Sequence, residues 1–318
     1  MIYSVHILRG LCAWMVVVHH FCYSYFEGIT NPLPTSIQKF SFILGIGVDV
    51  FFIISGYVMS LLLEKHQHKS ITASHFMKRR LLRVLPGWWL YLSLFVLLSL
   101  TLEGLPYSTD WNWQTLIQSA LLIPHNNLNG SGFYPVLYVG WSLMFELFFY
   151  SVIFLFIALP IKHLPFLIAI VLFCLAIIFP DQNTLGHSNF FFMEFLVGFL
   201  FRARPEFLGA LIIWSAFSIL KLYGHFEAAR FALACTIFVL AMNANITKES
   251  VLNRLLGPSG DYSYSIYLSH LIAIGLVHIA LPPSEQALKN VAAFFAVLLL
   301  TYWMSKLSYR WVERTFQR

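Results

Sequence analysis

Apolar runs of about 20 residues recur along the whole chain, the length a helix needs to cross the hydrocarbon core of a bilayer. Water cannot hold a chain built this way, which excludes a soluble enzyme, an extracellular domain and a disordered scaffold. The runs do not alternate apolar with polar positions, so an outer-membrane barrel is excluded as well. Composition enters only as agreement: of 318 residues, 59% are hydrophobic and 11% charged, against roughly a quarter charged in a soluble domain. The expected fold is all-α, a polytopic integral membrane protein.

Ten spans are read at roughly 5–26, 41–63, 84–103, 137–159, 165–179, 190–201, 207–223, 229–243, 262–281 and 289–307. Residues 104–136 hold Pro106, Pro124, Pro135, Gly130 and Gly132, a loop whose middle, 113–123, is expected to form an interfacial or re-entrant helix. No internal repeat is visible, which disfavours the inverted-repeat transporter folds. Of the 20 Lys and Arg, fifteen fall on one side if the N-terminus is inside; Lys39, Lys221, Arg230 and Lys289 fall on the other, and Arg9 lies within the first span. Basic residues gather on the cytoplasmic side, so both termini are expected there. The net charge of +6 reports this asymmetry and not a nucleic-acid partner. Cys12, Cys22, Cys174 and Cys235 all lie in apolar segments and read as small buried hydrophobes rather than a disulfide framework. The N-terminus lacks a basic leader, and His19-His20 interrupts its apolar stretch, so it is not a cleavable signal peptide. No polar stretch is long enough for a soluble domain, and residues 1–318 read as one transmembrane domain.

Titratable groups at membrane depth are costly and mark function by default. His19 lies about 10 Å from the outer end of its span at 1.5 Å per residue. Asp49, Glu146 and His270 lie at similar depth in three other spans. Four such groups from four helices describe a buried site, in which a histidine oriented by carboxylates is suited to take a proton from a hydroxyl. The bland alternative is that these groups only satisfy one another. His20, about 100° further round the helix, reads as packed or interfacial, and Glu194 and His278 as structural. Within the spans no His-x-x-x-His or carboxylate–histidine pair occurs at helical spacing, so no metal is expected.

Two further groups stand out. In Lys78-Arg79-Arg80-Leu81-Leu82-Arg83, Arg80 and Arg83 are three apart and share a helical face. That fork suits phosphate, although basic residues beside a span also serve as a topology signal or a grip on anionic lipid. Trp141, Ser142 and Glu146 fall close enough on one helix to face a single cavity. The other tryptophans, Trp88, Trp89, Trp111 and Trp113 among them, fit an interfacial belt.

These residues, taken in order, resemble membrane acyltransferase family 3, the acetyl-CoA-dependent O-acyltransferases of bacterial surface glycans. Arg9 and His19 are similar to its Arg-x(10)-His motif, and the run from Gly47 to Tyr57 to its second span. Arg80 to Arg83 with Pro86 is similar to its Arg-x-x-Arg motif. Trp141 to Glu146 with Phe149-Tyr150, Tyr264 to His270, and Tyr309 to Glu313 resemble its later segments. Many members carry a soluble esterase-like domain after the last span, whereas this chain ends at Arg318, and the final motif meets Arg314-Thr315 in place of a proline.

The resemblance implies a stand-alone transferase of the bacterial inner (cytoplasmic) membrane. Acetyl-CoA would be gripped from the cytoplasm by Arg80 and Arg83, with Arg9 at the donor's inner end or locking a carboxylate. His19 would be catalytic with Asp49 and Glu146, and Trp141, Ser142 and His270 would contact substrate. The acceptor would be the hydroxyl of a glycan or lipid-linked saccharide, such as O-antigen or exopolysaccharide. Membrane lipid is the surrounding partner, with a homo-oligomer or a separate glycan-assembly protein left open. Direct transfer and a transient acyl-histidine both stay open, as do a proton-coupled transporter or flippase and an acyltransferase of lipids or small molecules.

Overall fold

The computed structural model describes residues 2–26, 35–69, 72–106, 110–128, 134–157, 164–178, 188–203, 205–223 and 225–316. Among these, every regular element is helical and there is no strand. The α-helices are α1 (Tyr3–Phe26), α2 (Thr35–Lys69), α3 (Ala73–Thr101), α4 (Trp113–Ala120), α5 (Trp141–Ile157), α6 (Leu164–Ile178) and α7 (Ser188–Ala203). They continue as α8 (Leu208–Tyr223), α9 (His225–Asn243), α10 (Val251–Asp261), α11 (Ser263–Ala280), α12 (Ala287–Ser308) and α13 (Arg314–Phe316). A helix is present at each of the ten spans read from the sequence. Seven are long and apolar enough to cross a membrane: Tyr3–Phe26, Ser36–Glu64, Ala73–Thr101, Tyr138–Ile157, His225–Asn243, Ser263–Ala280 and Ala287–Phe316. The other three, α6, α7 and α8, have 15, 16 and 16 residues, and each borders residues outside the described set. Gly130, Gly132, Lys162, Arg204 and Arg318 also lie outside it, as do the side chains of His66, His68 and Lys221.

The basic run at Lys78–Arg83 is helical, since α3 begins at Ala73, ahead of the span boundary read at 84. Pro86 sits inside α3 and removes one backbone donor there. Neighbouring groups make such a break tolerable in membrane helices. Two residues earlier, the Val84 carbonyl accepts from the Tyr264 hydroxyl at 2.6 Å, which ties α3 to α11. The helix expected in the 104–136 loop is α4, capped by Asn112, whose side chain accepts from the Thr115 N–H while Thr115 answers the Asn112 N–H. Its polar residues Thr115 and Ser119 are buried, while Trp113, Ile117 and Leu121 are exposed at four-residue spacing. That inversion of the soluble pattern suits a helix lying in the lipid interface.

The chain groups into two compact units, each discontinuous in sequence. One comprises Met1–Val5, Val48–Arg80 and Phe145–Lys248, and the other His6–Gly47, Leu81–Met144 and Glu249–Arg318. The first has an aromatic core in which Phe149 stacks on Phe195 at 4.0 Å and Phe52 meets Phe191 at 4.7 Å. Helices α2 and α7 approach closely there: a Cβ on Gly56 would meet the Phe195 backbone, and one on Gly198 the Ile53 backbone. Small residues permit this contact in membrane helices, where apolar burial between helices gives little. Gly198→Val is expected to lower stability by about 3 kcal/mol, the upper end for overpacking. The thermal midpoint of the purified protein in detergent checks this.

In the second unit α11 is buried along most of its length. Against it, α12 turns small and polar residues inward, including Asn290, Ala293, Thr301, Ser305 and Ser308. Leu288, Val291, Phe295, Leu299, Trp303 and Leu307 point outward. Ser265 bonds Ser308 at 3.0 Å and Ser269 bonds Ser305 at 3.1 Å. Such interhelical bonds contribute roughly 0.6 kcal/mol each. An exposed stripe of Leu, Phe and Trp over a polar seam is stable in lipid and unstable in water.

Candidate active site

The second unit gathers three histidines. His19 and His20 come from α1 and His270 from α11. His19 Nδ1 lies 2.7 Å from the Ser41 carbonyl oxygen, which only accepts. Nδ1 therefore carries the proton, and Nε2 keeps the lone pair of a base. The Ser41 hydroxyl reinforces this hold, 3.1 Å from Nδ1 and donating to the His19 carbonyl at 3.2 Å. A backbone carbonyl thus orients His19, in the place where the sequence pointed to carboxylates.

His20 bridges the other two rings. Its centroid is 4.9 Å from that of His19 and 5.1 Å from that of His270. Tyr138 packs against it at 6.1 Å and stacks in turn on Tyr134 at 4.5 Å. His270 is wholly buried, and its Nδ1–H is held by the Tyr267 carbonyl at 2.7 Å. The Tyr267 hydroxyl donates to the Val139 carbonyl at 3.1 Å and shares a 2.8 Å hydrogen bond with Ser142. Ser142 is thereby fixed beside the residue that orients His270. Trp141 opens the same helix, α5, half-buried.

The two carboxylates expected with His19 are engaged within the first unit. Asp49, fully buried, takes a bidentate pair from Arg230: Nε to Oδ2 at 2.6 Å and Nη2 to Oδ1 at 2.9 Å. Glu194 is also fully buried and stands in electrostatic contact with both. Glu146 accepts a short hydrogen bond from the Tyr150 hydroxyl, and the Arg80 guanidinium lies over the Tyr150 ring, 5.9 Å from its centre. Arg9 and Arg83 belong to the second unit, within electrostatic reach of Glu313. Glu313 is buried at the end of a π-helical turn, Tyr309–Glu313, and accepts from the Ser265 hydroxyl. Among the described residues no group of three or more His, Cys, Asp or Glu is arranged to hold a metal ion.

An apolar groove of about 440 Å³ in the same unit is lined by Val18, Phe21 and Cys22 of α1 and Val291 and Phe294 of α12. A half-buried histidine held at Nδ1, on a scaffold matching one motif series from end to end, narrows the identity. The family described as an acyltransferase domain matches residues 2–310. The chain belongs to acyltransferase family 3. The family match spans segments of both units and makes the chain a multi-pass membrane acyltransferase. It is similar to the exopolysaccharide production protein ExoZ of Rhizobium meliloti (strain 1021), at 28% identity over 291 residues, covering 86% of this chain and 89% of that protein. No solved structure matches the chain.

Sequence reasoning did not single out four residues that hold or touch the groups it named. Ser41 contacts His19 through its backbone carbonyl, which carries no sequence signal. Tyr138 and Tyr267 are lost among 15 tyrosines. Arg230 was assigned to an outer segment, yet α9 carries it into the interior to meet Asp49. A buried aspartate with no cation in its own span was the available signal.

Proposed function

We propose that the chain transfers an acetyl group from cytoplasmic acetyl-CoA to a hydroxyl of an envelope saccharide, across the bacterial inner membrane. In this reading ten spans cross the membrane with both termini inside. The observation that carries it is His19, whose Nδ1–H is held by the Ser41 carbonyl at 2.7 Å, leaving Nε2 as the base. The family supplies the reaction class, the printed name of the Rhizobium relative points to the saccharide, and the basic asymmetry of the loops supports the orientation.

His19 Nε2 removes the acceptor's hydroxyl proton as the oxygen attacks the thioester carbonyl. The C–O bond forms, the C–S bond breaks, and the sulfur leaves with the electron pair and recovers a proton. Arg83 and Arg9 are assigned to the donor's phosphates, and Arg80 is carried with them from the motif at Arg80 to Arg83 alone. Glu313 balances Arg83 and Arg9 when no anion is present. Substrate contact is assigned to Trp141 and Ser142.

The test incubates membranes containing the protein with acetyl-CoA labelled in the acetyl group and follows label into glycan, lipid and small-molecule fractions. Label in glycan is the expected result. Label confined to lipid or small molecules moves the acceptor, and label that reaches nothing removes the acetyl-CoA assignment. Arg80→Ala with Arg83→Ala is expected to raise the donor KM at least tenfold with the acceptor KM unchanged. An unchanged donor KM returns the run to a topology role.

A further inference from the structure

Trp88 stands among the tryptophans expected in an interfacial belt, yet its side chain is wholly buried. Its indole N–H donates to the Ser119 carbonyl at 2.9 Å, and that of Trp89 to the Ala120 carbonyl at 2.8 Å. A helix leaves its last carbonyls without intrahelical partners, so two side chains of α3 close the C-terminal end of α4. The chain turns there through Leu122, a buried leucine at φ 54°, where glycine is the usual occupant. A left-handed leucine persists only where its surroundings hold it. His125 supplies part of that hold. Its Nδ1–H is taken by the Ile123 carbonyl at 2.8 Å, which leaves Nε2 to accept from the Ser119 hydroxyl at 3.3 Å.

The same hydroxyl accepts from the Val136 N–H at 2.9 Å, two residues before the 3₁₀ turn Tyr138–Gly140. Trp88 meets that turn as well, since a Cβ on Gly140 would collide with its ring. The turn presents the Val139 carbonyl, which accepts from the Tyr267 hydroxyl at 3.1 Å, and it leads into α5 at Trp141 and Ser142. With the Tyr267 proton spent on Val139, Ser142 is the donor in the 2.8 Å bond between the two hydroxyls. The oxygen of Ser142 then keeps its lone pairs to accept from a sugar hydroxyl. We propose that Trp88 and Ser119 are positioning residues for the acceptor, through which α4 fixes the Tyr138–Gly140 turn and places Ser142 to receive the acceptor's hydroxyl.

The placement of α4 favours the acceptor over the donor. In the orientation proposed above, α4 lies in the outer loop between α3 and α5, while Arg80 and Arg83 lie at the cytoplasmic start of α3. Trp113, Ile117 and Leu121 of α4 are exposed and suit the lipid interface, the level at which a lipid-linked saccharide presents its first sugars. The Ser119 carbonyl, the Ser119 hydroxyl and the Trp88 ring connect that level to the turn before Ser142. A shift of α4 therefore displaces the acceptor's hydroxyl and leaves the phosphate grip alone. A misplacement of about 1 Å costs on the order of 10²-fold in rate. This inference rests on the acyl-transfer reading above.

The experiment uses the full-length protein in lipid nanodiscs with labelled acetyl-CoA and, as acceptor, the envelope glycan fraction that takes up label. It measures kcat, the KM for each substrate and the thermal midpoint for wild type, Trp88→Phe, Ser119→Ala and Trp89→Phe. Phenylalanine at 88 keeps a buried ring and loses the N–H; alanine at 119 loses the hydroxyl that serves His125 and Val136. Trp89→Phe is the control, deleting a bond of the same kind from an exposed ring. The expected result is a fall in acceptor kcat/KM of tenfold or more in Trp88→Phe and Ser119→Ala, with the donor KM within twofold of wild type. Trp89→Phe is expected to stay within twofold throughout. A merely structural tie lowers the thermal midpoint and leaves the constants of the folded protein alike for both substrates. A fall of less than threefold in acceptor kcat/KM in either variant overturns the proposal, as does a donor KM that rises as much as the acceptor's. Should Trp88→Phe not fold, Ser119→Ala decides by the same limits. Wild type inert toward acetyl-CoA overturns the acyl-transfer reading itself; active wild type with unaffected variants overturns this inference alone.

Discussion

His19→Ala is expected to abolish acyl transfer while the protein remains folded in the membrane. The ring is half-buried and pinned at Nδ1 by Ser41, so its removal opens a small gap without stranding a charge. The Ser41 carbonyl loses a donor, a cost of about 1–3 kcal/mol if nothing replaces it. The chemistry loses more, since a positioned general base contributes about 10²–10⁴-fold. Ser41→Ala gives the contrasting result. It keeps the carbonyl that fixes the tautomer and removes only the reinforcing hydroxyl, so its loss stays below tenfold. Labelled transfer in vesicles, read beside a monodisperse elution profile, checks both. Near-normal transfer by His19→Ala removes this residue from the reaction.

Arg230→Ala is expected to have the largest structural effect in the molecule. Asp49 is completely buried, and both its oxygens are taken by the one guanidinium. Glu194, also buried, stands beside them, so removing the arginine leaves two acids facing each other without a cation. Breaking a buried pair by deleting one partner costs about 3–5 kcal/mol, whereas replacing both charges with neutral groups is often tolerated. The double variant Asp49→Asn with Arg230→Gln should therefore recover much of the stability lost by Arg230→Ala. Thermal unfolding followed by size-exclusion fluorescence distinguishes the three proteins. If the double variant is stable and still transfers acyl groups, Asp49 holds α2 to α9. If it is stable and inert, Asp49 belongs to the chemistry.

The apolar runs and the family motifs made the helical fold and the reaction class legible, because both are written in side chains at fixed spacing. His19 and His270 stood out in the sequence too, as titratable groups where the bilayer penalises them. What stayed hidden depended on partners. Asp49 and Glu146 were conspicuous for the same reason as His19, yet hydropathy does not say which buried group meets which, and they answer to Arg230 and Tyr150. His20 reads as packing from α1 alone, and the rings of Tyr138 and His270 supply what it packs against. The start of α3 at Ala73 was misplaced because Lys78 to Arg83 are too polar for a hydropathy reading to extend the helix through them.

The order of the segments along the chain has a consequence for biosynthesis. The unit carrying Asp49 and Arg230 ends at Lys248, while the unit carrying His19 needs Glu249–Arg318 to be complete. At about 5–20 residues per second, those last residues take the ribosome several seconds more. Throughout that interval the nascent chain already holds His19 and Ser41, but neither His270 nor Glu313. The second unit is thus completed only by the last helices to be made.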